Sequence, residues 1–350
     1  MSTTKISARN FGTLPDGSET QLFTIESSEL TLTLSTFGAR VVSLLTKDRS
    51  GAFADIALGY HDSAAYATRR NAFFGATIGR FGNRIARGEF CLGNELYRIP
   101  TNNGVNTLHG GSVGFDRRNW AATPLIDGVA FRLTSEDGDQ GFPGRLDTWT
   151  SYTVEGNVVT LRYEARTDKP TIVNLTNHTY FNLSGEGSPT VLGDELVLFA
   201  DYITAIDDAL IPTGELMPVG QTPFDFTSPT VIGARIDEPH PQLLRAQGYD
   251  HNFVLRDKVG ELHPAARLRN PKNGRVLEVS TTEPGVQFYS GNFLNGTLIG
   301  KSDQPYHHRS ALCLETQHFP DSPHHAHFPS VELLPGLTFT SETVWKFDQE

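Results

Sequence analysis

His178 stands inside "NLTNHTYFNLSG" (174–185), a stretch with three asparagines where a core strand would offer valine. Glu315 stands inside "SALCLETQHFPD" (310–321), where strand alternation puts Ala311, Cys313, Glu315 and Gln317 on one face and Leu312 and Leu314 on the other. A carboxylate in so apolar a strand is costly unless it is exposed, paired or working. Near pH 7 a glutamate, with an ordinary pKa of about 4.3, is ionised, while a histidine, at about 6.5, can give or take a proton. The two types together are suited to general acid–base chemistry, and strands hold such groups more firmly than loops do. Taken singly, each has a plain structural reading: a satisfied core histidine and an edge-strand charge.

The elements that must position these residues read as strands. The chain has 350 residues, with Gly 33, Pro 20 and Phe 22, and shows short alternating runs separated by turns rather than long helical periods. "ELTLTLSTFGARVVSLL" reads as two half-buried strands about Gly38, and "GEFCLGNELYRI" as a hairpin turning at Gly93-Asn94. From Val129 to Phe181 the pattern is a meander broken by "DGDQGFPG", "EGN" and "TDKP". Its last strand should alternate, with Ile172, Asn174, Thr176, His178 and Tyr180 on a mostly polar face. Further strands are expected at 195–200, 275–280, 286–289, 311–316 and 337–347. Short helices are expected at 62–70 and 240–248. The expectation is an all-β fold: one β-sandwich domain over 1–350 with a few short helices.

The net charge of −11 disfavours nucleic acid and anionic membrane surfaces as partners, since both need a positive field. The first residues carry no apolar leader and no run is long enough to span a bilayer, so a cytoplasmic location is expected. Two cysteines, Cys91 and Cys313, form no disulfide framework and no CxxC pattern. The N-x-S/T sequons at Asn174, Asn177, Asn182 and Asn295 are read as chance.

"GATIGRFGNRIARGEF", "NTLHGGSVGFDRRNW", "DGDQGFPG", "NLTNHTYFNLSG", "YDHNFVL", "GVQFYSGNFL" and "CLETQHFPDSP" occur in that order over about 75–323. Together they resemble the signature segments of the aldose 1-epimerase family, also called galactose mutarotases. The resemblance implies a large β-sandwich with a sugar cleft on the concave face of one sheet. It implies Glu315 as general base, His178 as general acid and His109, in "LHGG", beside the ring oxygen. Asn83, Arg84, Asp250 and Gln287 match sugar-binding positions. Arg80 and Arg87 read as solvated turn residues, and Tyr180, Phe181 and Phe288 as core. Phe81 and Phe115 are weaker candidates for lining the cleft.

The implied reaction interconverts the α and β anomers of free aldohexoses such as galactose and glucose. It needs one group to take a proton and another to give one, so no cofactor and no metal is expected. The "HFPDSPHHAHFPS" loop, with His318, His324, His325 and His327, has zinc-like H-H-x-H spacing but reads as a solvated loop. A binding protein on the same scaffold, a metal-dependent hydrolase and a hexose 6-phosphate epimerase are the rival readings. A monomer or homodimer acting on a small sugar is expected.

Overall fold

A computed structural model describes residues 4–68, 72–256 and 258–350. Its largest sheet runs antiparallel through the strands Ala121–Pro124, Gly128–Ser135, Leu146–Glu155, Val158–Thr167, Phe339–Gln349, Arg275–Thr281, His263–Arg269, Glu195–Leu198 and Thr230–Val231. Facing it is a sheet ordered Tyr180–Phe181, Leu312–Gln317, Gly285–Tyr289, Asp250–Leu255, Ala200–Ile206 and Pro212–Pro218. A third, of Lys5–Thr13, Glu19–Glu26, Leu30–Ser35, Arg40–Lys47 and Phe53–Asp55, closes one side.

Period-2 sequence explains the layering. In Leu146–Glu155 the inward residues Leu146, Thr148, Thr150, Tyr152 and Val154 are buried and alternate with half-exposed ones. Trp345, Phe347 and Leu161 of the large sheet meet Phe181, Phe288, Leu312 and Leu314 of the facing one in a continuous core, with Phe181 edge-on to Trp345 at 5.2 Å. Phe23 brings the third sheet into that core, edge-on to Phe131 at 6.3 Å. Leu312 and Leu314 point into the core, so Cys313 and Glu315 must point to the opposite face of their sheet.

The expected hairpin at Gly93-Asn94 and the later strands are present. The expected helices are present: Ser63–Thr68, with Arg69 and Arg70 outside the described residues, and Pro241–Ala246, shorter than the expected 240–248. The strand expected through His178 is instead three dipeptide bridges, Thr171–Ile172, Thr176–Asn177 and Tyr180–Phe181, each paired to a different partner. Both of its faces are buried, not only one.

The asparagines explain how so broken a segment survives burial. The Asn174 amide donates to Gly82 O and His318 O and accepts from His318 N–H. Asn177 donates to Gly75 O and Tyr152 Oη and accepts from Thr179 N–H, while Asn182 donates to Ser188 O and Ser310 O and accepts from Ser184 N–H. Each supplies donors and acceptors that an unbroken ladder would have supplied. Their burial also makes these three sequons inaccessible. His178 itself is pinned by backbone bonds to Ala76 O and from Gly75 N–H.

Arg80 is not a solvated turn residue. It is buried, and its guanidinium donates to Ser135 Oγ, Ser135 O, Glu136 O and Pro143 O, stapling the "DGDQGFPG" loop. Arg87 is exposed, as expected, and pairs with Glu89 at 3.2 Å. The two cysteines are free, Cys91 exposed and Cys313 buried. Among the described residues no helix is long and apolar enough to cross a membrane.

Replacing Asn177 by alanine would leave the Thr179 N–H and the Thr179 hydroxyl without their buried acceptor, while Gly75 O would keep the Val41 N–H. A loss of about 3 kcal/mol in unfolding free energy is expected in urea titration, at roughly 1–3 kcal/mol per orphaned group. A loss below about 0.5 kcal/mol would contradict the staple.

Candidate active site

Strand register assembles the floor of the site. Gln287 stands directly opposite Glu315, Asn252 opposite Gln287, Asp250 opposite Tyr289, and Cys313 opposite both Tyr289 and Tyr180. The side chains of these rows rise from one face of the sheet into a cleft of about 620 Å³, including its open mouth. Asn83, Arg84, His109, His178, Asp250 and Glu315 line it. Gln287 lies immediately beneath, its amide donating to Asp250 Oδ1 at 2.7 Å.

The walls come from two loops that must approach closely. Gly110, at φ 83°, follows His109, and a Cβ there would stand 2.0 Å from Gly79 O. Gly75, at φ 66°, approaches Val41 O in the same way at 1.9 Å. Glycine is therefore required on either side of the cleft.

His178 Nε2 lies 3.7 Å from Glu315 Oε1, and its Nδ1 lies 3.5 Å from Cys313 Sγ. Its ring is stacked between Phe73 (5.6 Å, 21°) and Tyr180 (5.0 Å, 17°), and His109 stands edge-on at 5.1 Å. Glu315 Oε2 is buried without a hydrogen-bond partner among the described residues. An orphaned carboxylate oxygen costs stability that a ligand hydroxyl would recover.

Burial governs the protonation of the pair. It pushes the Glu315 carboxyl well above the usual carboxylate range, with the nearby Asp250 charge adding to the rise and Arg84 opposing it. It pulls His178 down to about 3. His109 is lowered well below its ordinary value by burial first, then by His178 and Arg84. Asp250 is raised by burial against the opposing pull of Arg84 and the Gln287 hydrogen bond.

His109 Nδ1 accepts the Asn83 backbone N–H at 3.0 Å, so the neutral ring carries its proton on Nε2. His109, His178 and Glu315 each bring one nitrogen or oxygen within 4.8 Å of the others, a donor set that zinc can accept. Ligation through Nε2 of His109 would require its proton to move to Nδ1, where the Asn83 N–H already points. The hydrogen bonding therefore suits a proton-transfer site better than a metal centre.

Arg84 sits at 4.0 Å from Asp250 and donates from Nε to Asn103 Oδ1 at 3.2 Å. The Asn83 side chain is partly engaged, its Oδ1 accepting the Arg84 N–H. Sequence reading missed Phe73, which no motif marks; Tyr180, expected in the core, is buried in an aromatic cluster and lines the cleft as well. Phe81 and Phe115 do not line it: Phe81 packs with Phe90 and Phe142, and Phe115 on Trp120. The histidine loop is not merely solvated. His318 pairs with Glu283 and His324 with Asp321, both at 2.6 Å, while His325 and His327 contact Pro212 O and Gly214 O.

Residues 21–346 match the family described as Aldose 1-epimerase. The chain belongs to the aldose 1-epimerase family. Within that family it is 43% identical over 338 residues to the galactose mutarotase of Bos taurus, covering 96% of this chain and 97% of that protein. It is 38% identical over 341 residues to the aldose 1-epimerase of Escherichia coli K12, covering 96% and 97%. The crystal structure of galactose 1-epimerase from Lactobacillus acidophilus superposes with a TM-score of 0.86 at 29% identity, covering 99% of both chains. The family's β-sandwich is thus the fold of this chain, as its sequence resemblance implied.

The lowered His178 pKa carries a stability consequence. Between about 6.5 and about 3 the unfolded chain takes up a proton that the folded ring refuses, so stability falls as pH falls through that window. The limiting slope is about 1.4 kcal/mol per pH unit for one such group. The variant His178→Gln should show a shallower loss of unfolding free energy between pH 6.5 and 4.5 than wild type. Equal slopes would mean that the ring titrates normally.

Proposed function

We propose that this protein is an aldose 1-epimerase interconverting the α and β anomers of free aldohexoses, galactose and glucose among them. The observation that carries the reading is the convergence of Glu315, His178 and His109 in one buried cleft floored by Asp250 and Gln287. The unpartnered Oε2 of Glu315 is the natural acceptor for the C1 hydroxyl proton. His178 is the acid. His109, locked as an Nε2–H donor, hydrogen-bonds the ring oxygen without exchanging its proton. Arg84, Asp250 and Gln287 hold the remaining hydroxyls, with Asn83 fixing the wall they share; a guanidinium can donate paired bonds to adjacent hydroxyls.

Glu315 and His178 share one exchangeable proton, and burial, which raises the carboxyl and lowers the imidazole, favours it on Glu315. Ring opening starts from the other arrangement, carboxylate and imidazolium. Glu315 then removes the proton from O1, the C1–O5 bond breaks, and His178 Nε2 delivers its proton to O5. The products are the open-chain aldehyde, a neutral carboxyl and a neutral imidazole, the pair that burial favours. Rotation about C1–C2 presents the other face of the aldehyde. Reclosure returns the Glu315 proton to O1 and takes the O5 proton back onto His178. No net proton and no electron is exchanged, so nothing in the cycle calls for a cofactor.

The core running from Phe23 to Phe347 supports reading residues 1–350 as one domain. A cytoplasmic monomer or homodimer agrees with the charge of −11 and the free Cys91 and Cys313.

Polarimetry of freshly dissolved α-D-galactose tests the reaction. Wild type should accelerate the decay with or without chelator, and Glu315→Gln should lower kcat by about 10²–10⁴-fold, the usual contribution of one positioned base. The pH profile should be bell-shaped, its limbs belonging to the Glu315–His178 pair rather than to either residue. No acceleration of galactose or glucose by wild type would reject the reading.

A further inference from the structure

His178 has a partner at each ring nitrogen, and one strand supplies both. Cys313 and Glu315 stand two residues apart on the same face of Leu312–Gln317; the first meets Nδ1 at 3.5 Å and the second meets Nε2 at 3.7 Å. Phe73 and Tyr180, stacked on the ring at 5.6 and 5.0 Å, hold it against turning. The proposed reaction requires Nε2 alone to give and recover a proton, so Nδ1 must keep its own throughout. Something must accept that second hydrogen.

We propose that Cys313 is a positioning residue for the reaction, its sulfur accepting the Nδ1–H of His178 and so leaving Nε2 to exchange the proton with Glu315 and the sugar ring oxygen. This rests on the function proposed above. The two histidines differ in what faces their Nδ1. His109 faces a backbone N–H, which can only donate, and is held as the Nε2–H tautomer. His178 faces a thiol, which can accept.

The chemistry of the partner also matters. A carboxylate in this place would stabilise the imidazolium by opposite charge and make it a weaker acid. Cys313 is fully buried, and burial together with Glu315 and Asp250 disfavours its thiolate, so the sulfur stays neutral. A neutral, weak acceptor orients the ring while leaving the imidazolium ready to give up its Nε2 proton. The other polar groups around the ring are His109 at 5.1 Å, the Tyr180 phenol stacked on it, and Arg84, Asp250 and Tyr289 across the cleft.

Two readouts test the assignment on the whole chain. Nitrogen-15 shifts of His178 in the sugar-free protein should show Nδ1 protonated and Nε2 bare, opposite to His109. In Cys313→Ala the His178 signals should become a mixture of tautomers, and kcat for galactose should fall about tenfold while KM holds, the scale typical of lost outer-shell partners. Cys313→Ser, which keeps a neutral acceptor, should restore most of kcat and the wild-type tautomer. A wild-type His178 protonated on Nε2, or a Cys313→Ala protein with unchanged tautomer and kcat, would overturn the proposal. Because the shifts are read without substrate, a wild type that fails to turn over galactose would reject the reaction while the spectrum still decides the role of Cys313.

Discussion

The register between Leu312–Gln317 and Gly285–Tyr289 is the constraint on which the rest of this structure depends. It sets Gln287 opposite Glu315 and Tyr289 opposite Cys313. Side chains alternate faces with period two, so a slip of one residue would carry Glu315 into the core and Leu314 into the cleft. Leu312, Leu314 and Phe288, packed against the Trp345 side of the sandwich, oppose that slip because each would lose its apolar environment. The geometry of the proposed catalytic groups is thus enforced from behind by hydrophobic burial.

Placing ionisable groups so close to that core has an electrostatic effect on which the proposed reaction draws. Desolvation penalises the charged forms of the three groups that converge there, raising Glu315 and lowering His178 and His109. A carboxyl pushed up and an imidazole pulled down reverse the order that the two groups have in water, so the shared proton is favoured on Glu315 rather than on His178. In the proposed reaction, ring opening moves the pair from its charged to its neutral arrangement, and reclosure reverses it. Arg84 and Asp250 act on the same balance with opposite signs, which is why their mutual distance of 4.0 Å matters beyond sugar binding.

Much of this was legible in the chain. Alternation located the strands around Glu315 and the hairpin at Gly93-Asn94, and the family segments brought Asn83, Arg84, His109, His178, Asp250, Gln287 and Glu315 to one cleft. What alternation could not show was that "TIVNLTNHTYF" pairs with three partners in turn, because periodicity records which face a residue takes and not which strand it pairs with. The asparagines were the signal: three amides in a buried strand imply broken ladders needing donors and acceptors. Arg80 was misread for a related reason, since a guanidinium bonded only to neutral oxygens leaves no charge partner to be seen in sequence. Phe73 carries no motif and enters the site only through its loop.

The same three side-chain types, two histidines and a glutamate, serve elsewhere as a zinc site, and here their ligand atoms come within 4.8 Å of one another. The choice between the two chemistries is made one shell further out. A metal-binding histidine ordinarily donates its remote N–H to a carbonyl or carboxylate, which leaves the near nitrogen bare for the metal. At His109 the remote nitrogen instead accepts the Asn83 N–H, so the near nitrogen carries hydrogen and offers it to a ligand oxygen. A single backbone amide, oriented by the positive φ of Asn83 at 66°, thereby turns a prospective metal ligand into a hydrogen-bond donor.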